Sequence, residues 1–271
     1  MLLRNLLRSR MPPTSPGQIA SIYRYPVKGL TPEQLTRAAL APGQTLLADR
    51  RYAIENGPSG FDPAEPKWMP KPHFLMLMRD EWLAGLRTHF DDASHVLTIR
   101  HNGEIAVQGD LETAGGRAAI ENFFSTAFAN EIKGPPKVLS SEGHSFSDVA
   151  RKVVSIINLA SLRAIENMVD YPVHPLRFRA NLYVEGWPAW HEFDLVDRMI
   201  TIGGTRLQVV KRITRCAAVN VDPDTAARDL AIPQALTRRL GHNECGIYAE
   251  VIAGGTIAVG DTIAAEAPEL L

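Results

Sequence analysis

The sequence predicts a mainly β protein with α additions, closer to a partly closed β-barrel than to a doubly wound parallel sheet. Three observations predict it. Short β-branched runs outnumber helical stretches, and the two never alternate as regular βαβ units. Turn formers are plentiful, 20 Gly and 19 Pro in 271 residues, and several fall as Asn-Gly or Gly-Gly pairs between apolar runs. A hydrophobic share of 45% against 22% charged residues supports a buried core and argues against wholesale disorder.

The elements follow in order. Residues 1–17, opening with the basic stretch MLLRNLLRSR, are expected to be a disordered or basic tail; a short amphipathic anchor or transit segment is the other reading of that stretch. GQIASIYRYPVKGL reads as a strand halted by Pro26, and DRRYAIENG as a strand that ends in the turn Asn56-Gly57. The proline-rich run GPSGFDPAEPKWMPKPHF is then a long loop. HVLTIRHNGEIAVQG carries Asn102-Gly103 between strand-like runs, a strong hairpin signal. Ile120, Phe123, Phe124, Ala127 and Phe128 share one face of a helix. Gly134-Pro135-Pro136 breaks the chain, which places a domain boundary there, giving domains 18–134 and 135–265 and a tail 266–271.

In the second half VVSIINL reads as a buried strand, SLRAIENMVD as a helix and RANLYVEG as a strand. MITIGGTRLQVVKRI is expected to be a hairpin around Gly203-Gly204, and CAAVNV a strand running into the turn Asp222-Pro223-Asp224. IPQALTRRLG is a short helix ended by Gly241, and CGIYAEVIAGGTIAVGD closes as a hairpin around Gly254-Gly255.

Several function classes fall away. Lys plus Arg is 29 against 30 for Asp plus Glu, a net charge of −1 that argues against a nucleic-acid coat. Two cysteines, not in a C-x-x-C pair, rule out a disulfide framework, a Cys-rich zinc site and a four-thiolate iron–sulfur cluster within this chain, and fit a reducing, cytoplasmic setting. No apolar run reaches the roughly 18–20 residues of a membrane helix. Leu195 stands where the second imidazole of an H-E-x-x-H zinc site must be, Gly143-His144-Ser145-Phe146-Ser147 lacks the closing Gly of a nucleophile elbow, and no P-loop or G-x-G-x-x-G is present.

What remains is a scatter of cations at strand ends: Lys28, Arg50 and Arg51, Arg177 and Arg179 before Asn181, and Lys211, Arg212 and Arg215 beside Cys216. They either surround one anionic ligand or are ordinary surface charges balanced by nearby acids. Cys216, with cations just before it, is either an activated thiolate or a small buried hydrophobe. A Cys216 nucleophile paired with a histidine such as His242 is a further reading.

The residues also carry a resemblance. Tyr25-Pro26-Val27-Lys28, Asp49-Arg50-Arg51, Phe146-Ser147-Asp148, Phe178-Arg179-Ala180-Asn181, Thr214-Arg215-Cys216 through Val221-Asp222-Pro223-Asp224-Thr225, and the closing Gly254-Gly255-Thr256-Ile257-Ala258-Val259-Gly260-Asp261 occur in the order seen in MOSC proteins. The chain resembles that family from about Gln18 to Thr262, as an N-terminal β-barrel-like domain followed by a MOSC β-barrel domain. Relatives include the mitochondrial amidoxime-reducing component and the C-terminal domain of molybdenum cofactor sulfurase. The resemblance implies a molybdenum cofactor (molybdopterin) with Cys216 as the catalytic thiolate and metal ligand. Lys28, Arg50, Arg179 and Asn181 would hold the pterin and its phosphate; Ser147 and Thr214 would give hydroxyl contacts. Arg51, Arg177 and Arg215 are adjacent candidates.

The implied activity is reduction of small N-hydroxylated or related N–O or S–O compounds. The missing cluster ligands require an external electron donor of ferredoxin, flavoprotein or cytochrome type. A non-catalytic molybdenum cofactor or sulfur carrier is the alternative. Departures from the family pattern include Gly29 after Lys28, Ala226 after Thr225, and Lys71-Pro72-His73 where a Thr-x-Arg-like stretch is usual. No desulfurase segment precedes, so sulfuration of the cofactor by this chain alone is not expected.

Overall fold

The computed structural model describes residues 16–266, so the basic stretch at the start and all but the first residue of the expected C-terminal tail lie outside the described residues. The strands in chain order are β1 (Gly17–Arg24), β2 (Glu33–Leu35), β3 (Arg37–Leu40), β4 (Ala53–Asn56), β5 (Arg87–Phe90), β6 (Val96–His101), β7 (Glu104–Asp110), β8 (Pro136–Leu139), β9 (Val154–Asn158), β10 (Leu182–Glu185), β11 (Met199–Ile202), β12 (Thr205–Thr214), β13 (Glu244–Ala253), β14 (Gly255–Ala258) and β15 (Thr262–Ala265). Three helices join them: α1 (Ala114–Ala127), α2 (Leu159–Val169) and α3 (Ile232–Leu240).

Seven strands close into a barrel in the order β10-β9-β13-β12-β11-β15-β1, with β1 returning to pair with β10. All neighbours are antiparallel except β9 and β10, which need the α2 crossover between them. Inward residues alternate along the strands, and Ile22, Ile156, Leu182, Ile200, Leu207 and Ile247 fill the interior. A second core lies beside it. There β4 pairs with β8, β5-β6-β7 form a meander, and α1 packs Ile120 and Phe124 against Tyr52, Leu83 and Phe90. Strand pairing crosses the expected division at residue 134, because β1 closes the barrel, β3 pairs with β14, and β8 pairs with β4.

Local chemistry explains most boundaries. Asn102 and Gly103 both have positive φ (54° and 86°), as a two-residue turn between right-twisted strands requires. The Thr113 side chain accepts from the Gly116 amide at 3.1 Å to start α1, and Gly241 at φ 78° ends α3.

The structure differs from the sequence reading at two places. Residues 217–220 form a 3₁₀ turn, not a strand, because the carbonyls of Ala217 and Asn220 are taken by Arg228 and Arg177. Gly254-Gly255 does not make a hairpin either. β13 and β14 diverge there: β14 pairs with β3, and Gly254 passes so near Leu40 that a Cβ would lie 2.6 Å from its carbonyl oxygen.

Candidate functional site

Where β1 stops, residues 25–28 are laced to residues 49–52. The Tyr25 amide donates to Asp49 Oδ1 at 2.8 Å, the Arg50 amide to Tyr25 O at 2.7 Å and the Lys28 amide to Tyr52 O at 2.8 Å. This lacing brings Lys28 and Arg50 to one spot between the two cores. The 3₁₀ turn Pro175–Phe178 then delivers Arg179, which like Arg50 has a left-handed backbone (φ 50° and 53°). Both guanidiniums lie over the Tyr25 ring, at 4.8 Å for Arg50 and 4.4 Å for Arg179.

These cations are differently satisfied. Lys28 is buried, donates to Phe146 O at 2.8 Å and pairs with Asp148. Burial pushes its ammonium below the usual lysine range, although Asp148 opposes the shift. Arg50 pairs with Asp49 and donates to Arg179 O at 3.0 Å. Burial alone would raise the Asp148 carboxyl, but Lys28, Lys71 and Arg50 prevail and hold it at about 2. The Arg179 guanidinium has no hydrogen-bond acceptor among the described residues.

On the facing side, Arg215 donates from Nε to Cys245 O at 2.8 Å and from Nη1 to Phe178 O at 3.0 Å, leaving Nη2 buried without a partner. Only glycine fits opposite it, since a Cβ on Gly246 would meet Ile156 O at 2.6 Å and Arg215 Nη2 at 3.1 Å. Cys216 follows, partly buried, with its thiol near the Lys71 ammonium. Burial works to lower Lys71, yet Asp148 and then Cys216 outweigh it and raise the group above its usual value.

Lys28, Arg50, Lys71, Asp148, Arg179, Arg215 and Cys216 line one cavity of about 570 Å³, a size suited to a small ligand. Lys28, Arg50, Arg179, Arg215, Ser147, Thr214 and Cys216 are brought together as the sequence suggested. Asn181 also lines it, but its Oδ1 accepts from Ser155 N and Oγ at 3.0 and 2.8 Å and its Nδ2 donates to Tyr23 O at 3.2 Å, so it braces the wall.

Two arginines part company with the cluster. Arg51 lies off the cavity wall and pairs with Glu112 at 2.6 Å. Arg177 reaches the wall with its charge already engaged by Asp222 and Asp229, both at 2.7 Å. His242 is off the wall as well, its ring 5.7 Å from Phe193, so the Cys216–His242 pair does not form.

Sequence reasoning passed over Lys71, Asp148 and Tyr248 as site residues. Lys71 sits in the proline-rich loop, which Trp68 pins to the cavity rim by donating to Ser147 O at 3.2 Å. Its only signal was a cation between two prolines. The second cysteine, Cys245, is buried in the α2/α3 core, and desolvation pushes its thiol up to about 12. Among the described residues no group of three or more His, Cys, Asp or Glu side chains could cage a metal ion. None of the described helices is long and apolar enough to cross a membrane.

The barrel and cleft together define a class of protein: β-barrel proteins whose cation-walled cleft adjoins a single half-buried thiol. The family follows from the matched segments, residues 16–134 to the MOSC N-terminal beta barrel domain and residues 136–264 to the MOSC domain. The chain belongs to the MOSC family in its two-part form, as the motif order implied.

Among solved structures, the chain is similar to YuaD of Bacillus subtilis, at 13% identity and TM-score 0.43 over 92% of this chain and 94% of that one. It is also similar to YiiM of Geobacillus stearothermophilus, at 17% identity and TM-score 0.34, and to YiiM of Escherichia coli, at 17% and 0.32. For both YiiM proteins the match covers 42% of this chain and spans about half of theirs, 54%. No curated protein matches the chain.

Proposed function

We propose that the chain binds a molybdenum cofactor in this cavity and reduces N-hydroxylated or related N–O and S–O compounds with electrons from a separate donor protein. MOSC domains are linked to molybdenum cofactor sulfuration and reduction, which sets the chemical class. The observation that carries the reading is the Arg179 guanidinium, lining the same cavity as the Cys216 thiol without an acceptor of its own. An unmatched guanidinium beside a soft sulfur donor fits a ligand that is anionic at one end and metallic at the other.

Arg179 and the orphaned Arg215 Nη2 supply free donors for a phosphate, and Lys28 and Arg50 add charge behind them. Ser147 and Thr214 offer hydroxyls on the wall. Cys216 would be the one thiolate on the metal, and the Lys71 ammonium next to it offsets that negative charge. When bound, the metal supplies two-electron oxygen-atom chemistry that side chains lack. Met76, Leu77 and Met78 are part of the apolar wall and limit water.

Two cysteines cannot supply a four-thiolate iron–sulfur cluster, so a ferredoxin, flavoprotein or cytochrome would deliver the electrons. Both cysteines are free, in keeping with a cytoplasmic site of action.

The test is metal and pterin analysis of protein from hosts with and without molybdopterin synthesis, alongside Cys216→Ala. The wild type should carry molybdenum and pterin only from the competent host, and the variant should lose reductase activity. Full activity in Cys216→Ala would overturn the assignment. Transfer of the cofactor to an apo-enzyme with no reduction of substrate would replace the oxidoreductase by a carrier.

A further inference from the structure

The segment from Cys216 to Asp229 makes no strand pairing beyond a single bridge between Val221 and Arg228. Arg215, just before the thiol, is held to Asn243, and the residues after the thiol are tied to the rest of the fold mainly by side chains from elsewhere. Arg228 turns back along the segment, and its Nη1 donates to Ala217 O at 2.7 Å, one residue past the thiol. The Nη2 of the same guanidinium donates to Leu77 O at 3.2 Å and Met78 O at 3.3 Å, and it pairs with Glu81 at 2.9 Å. Leu77, Met78 and Ala218 all line the cavity. One planar group therefore ties the thiol-bearing stretch to the wall that the first half of the chain provides.

We infer that Arg228 is the positioning residue for Cys216, setting the distance between the thiol and the Lys71–Met78 wall. The inference deepens the proposed function and rests on it for what the thiol does, while the geometry stands by itself. A lysine could keep the Glu81 pair, but a single ammonium cannot span Ala217 O on one side and two carbonyls on the other.

The structure contains an internal control. Arg87 also bridges the two halves, donating to Pro223 O at 3.0 Å and Asp224 O at 3.3 Å. It grips the same segment at Pro223 and Asp224, seven and eight residues after Cys216 in sequence. A purely structural role for Arg228 would make the two arginines equivalent.

The experiment uses full-length protein from a host unable to make molybdopterin. Alkylation of Cys216 is timed with small iodoacetamide and with a bulky dye maleimide, and the ratio of the two rates is taken. The ratio cancels differences in thiolate fraction and reports how tightly the thiol is confined. Cys245 is fully buried and stays silent. Arg228→Gln should raise the bulky-to-small ratio by about fivefold or more through local opening of the segment. Arg228→Lys should do the same, and Arg87→Gln should keep the wild-type ratio even if its melting temperature falls as far.

A wild-type ratio in Arg228→Lys, or an equal rise in Arg87→Gln, overturns the inference. Should Arg228→Gln fail to fold, those two variants still decide it. Molybdenum content of wild type from a competent host is measured alongside. A metal-free wild type with the expected ratios sinks the functional reading and leaves the positioning role standing; a loaded wild type with flat ratios does the reverse.

Discussion

Arg177 and Arg179 stand on either side of Phe178, and the structure gives them opposite surroundings. Arg177 faces the 216–229 segment, where Asp222 and Asp229 take its charge and Asn220 O takes a further donor at 3.0 Å. Arg179 faces the cavity, stacked on Tyr25 with no acid of its own. The first region is a closed ion-pair network. The second holds more cations than acids, since only Asp49 and Asp148 pair with Lys28, Lys71 and Arg50, and Arg179 has no acid of its own. A cluster of arginines therefore marks a ligand site only where the fold withholds their counterions.

The contrast can be broken by mutation, and the largest effect should come from the closed network. Arg177→Met leaves Asp222 and Asp229 without their partner and should cost about 3 kcal/mol in denaturant unfolding, the lower end for a broken buried pair because both acids are partly exposed. Arg179→Gln should instead leave unfolding nearly unchanged. Its effect should be a roughly tenfold loss of affinity for inorganic phosphate, followed by calorimetry on the metal-free protein.

Asp148 sharpens the comparison through pH. Its carboxyl is held at about 2 against an ordinary 3.8, so its stabilising share is complete above 3.8 and is lost as pH falls through about 2. Melting temperatures of Asp148→Asn and wild type should differ at neutral pH and converge near pH 2. A gap that stays constant down to that pH would show that the carboxylate's charge is not what matters. Arg51→Gln should do least. Its pair with Glu112 is exposed, and the change should stay within about 0.5 kcal/mol and leave phosphate binding alone.

Much of this was legible in the sequence where local chemistry decides the outcome. Asn102-Gly103, the helix face of Ile120 and Phe124, and Gly241 after α3 all signal structure within a few residues. CAAVNV misled because its β-branched look is overruled by Arg177 and Arg228, whose guanidiniums claim its carbonyls from distant parts of the chain. Gly254-Gly255 misled because a diglycine serves a close crossing over Leu40 as well as it serves a turn.

For the site, motif order collected the cations. It could not say which were already neutralised, since Asp222 and Asp229 lie 45 and 52 residues from Arg177. Lys71 escaped because nothing around it in sequence predicts that its loop folds back to meet Cys216.

β1 is made before the strands against which it closes the barrel, β10 and β15. Until β10 and β15 are made, β1 can pair only with the short β2, and the ring stays open along two unpaired edges. Expressing either half separately would freeze that waiting state: the back half would lack its closing stave, and the front half would carry a stave without a cask.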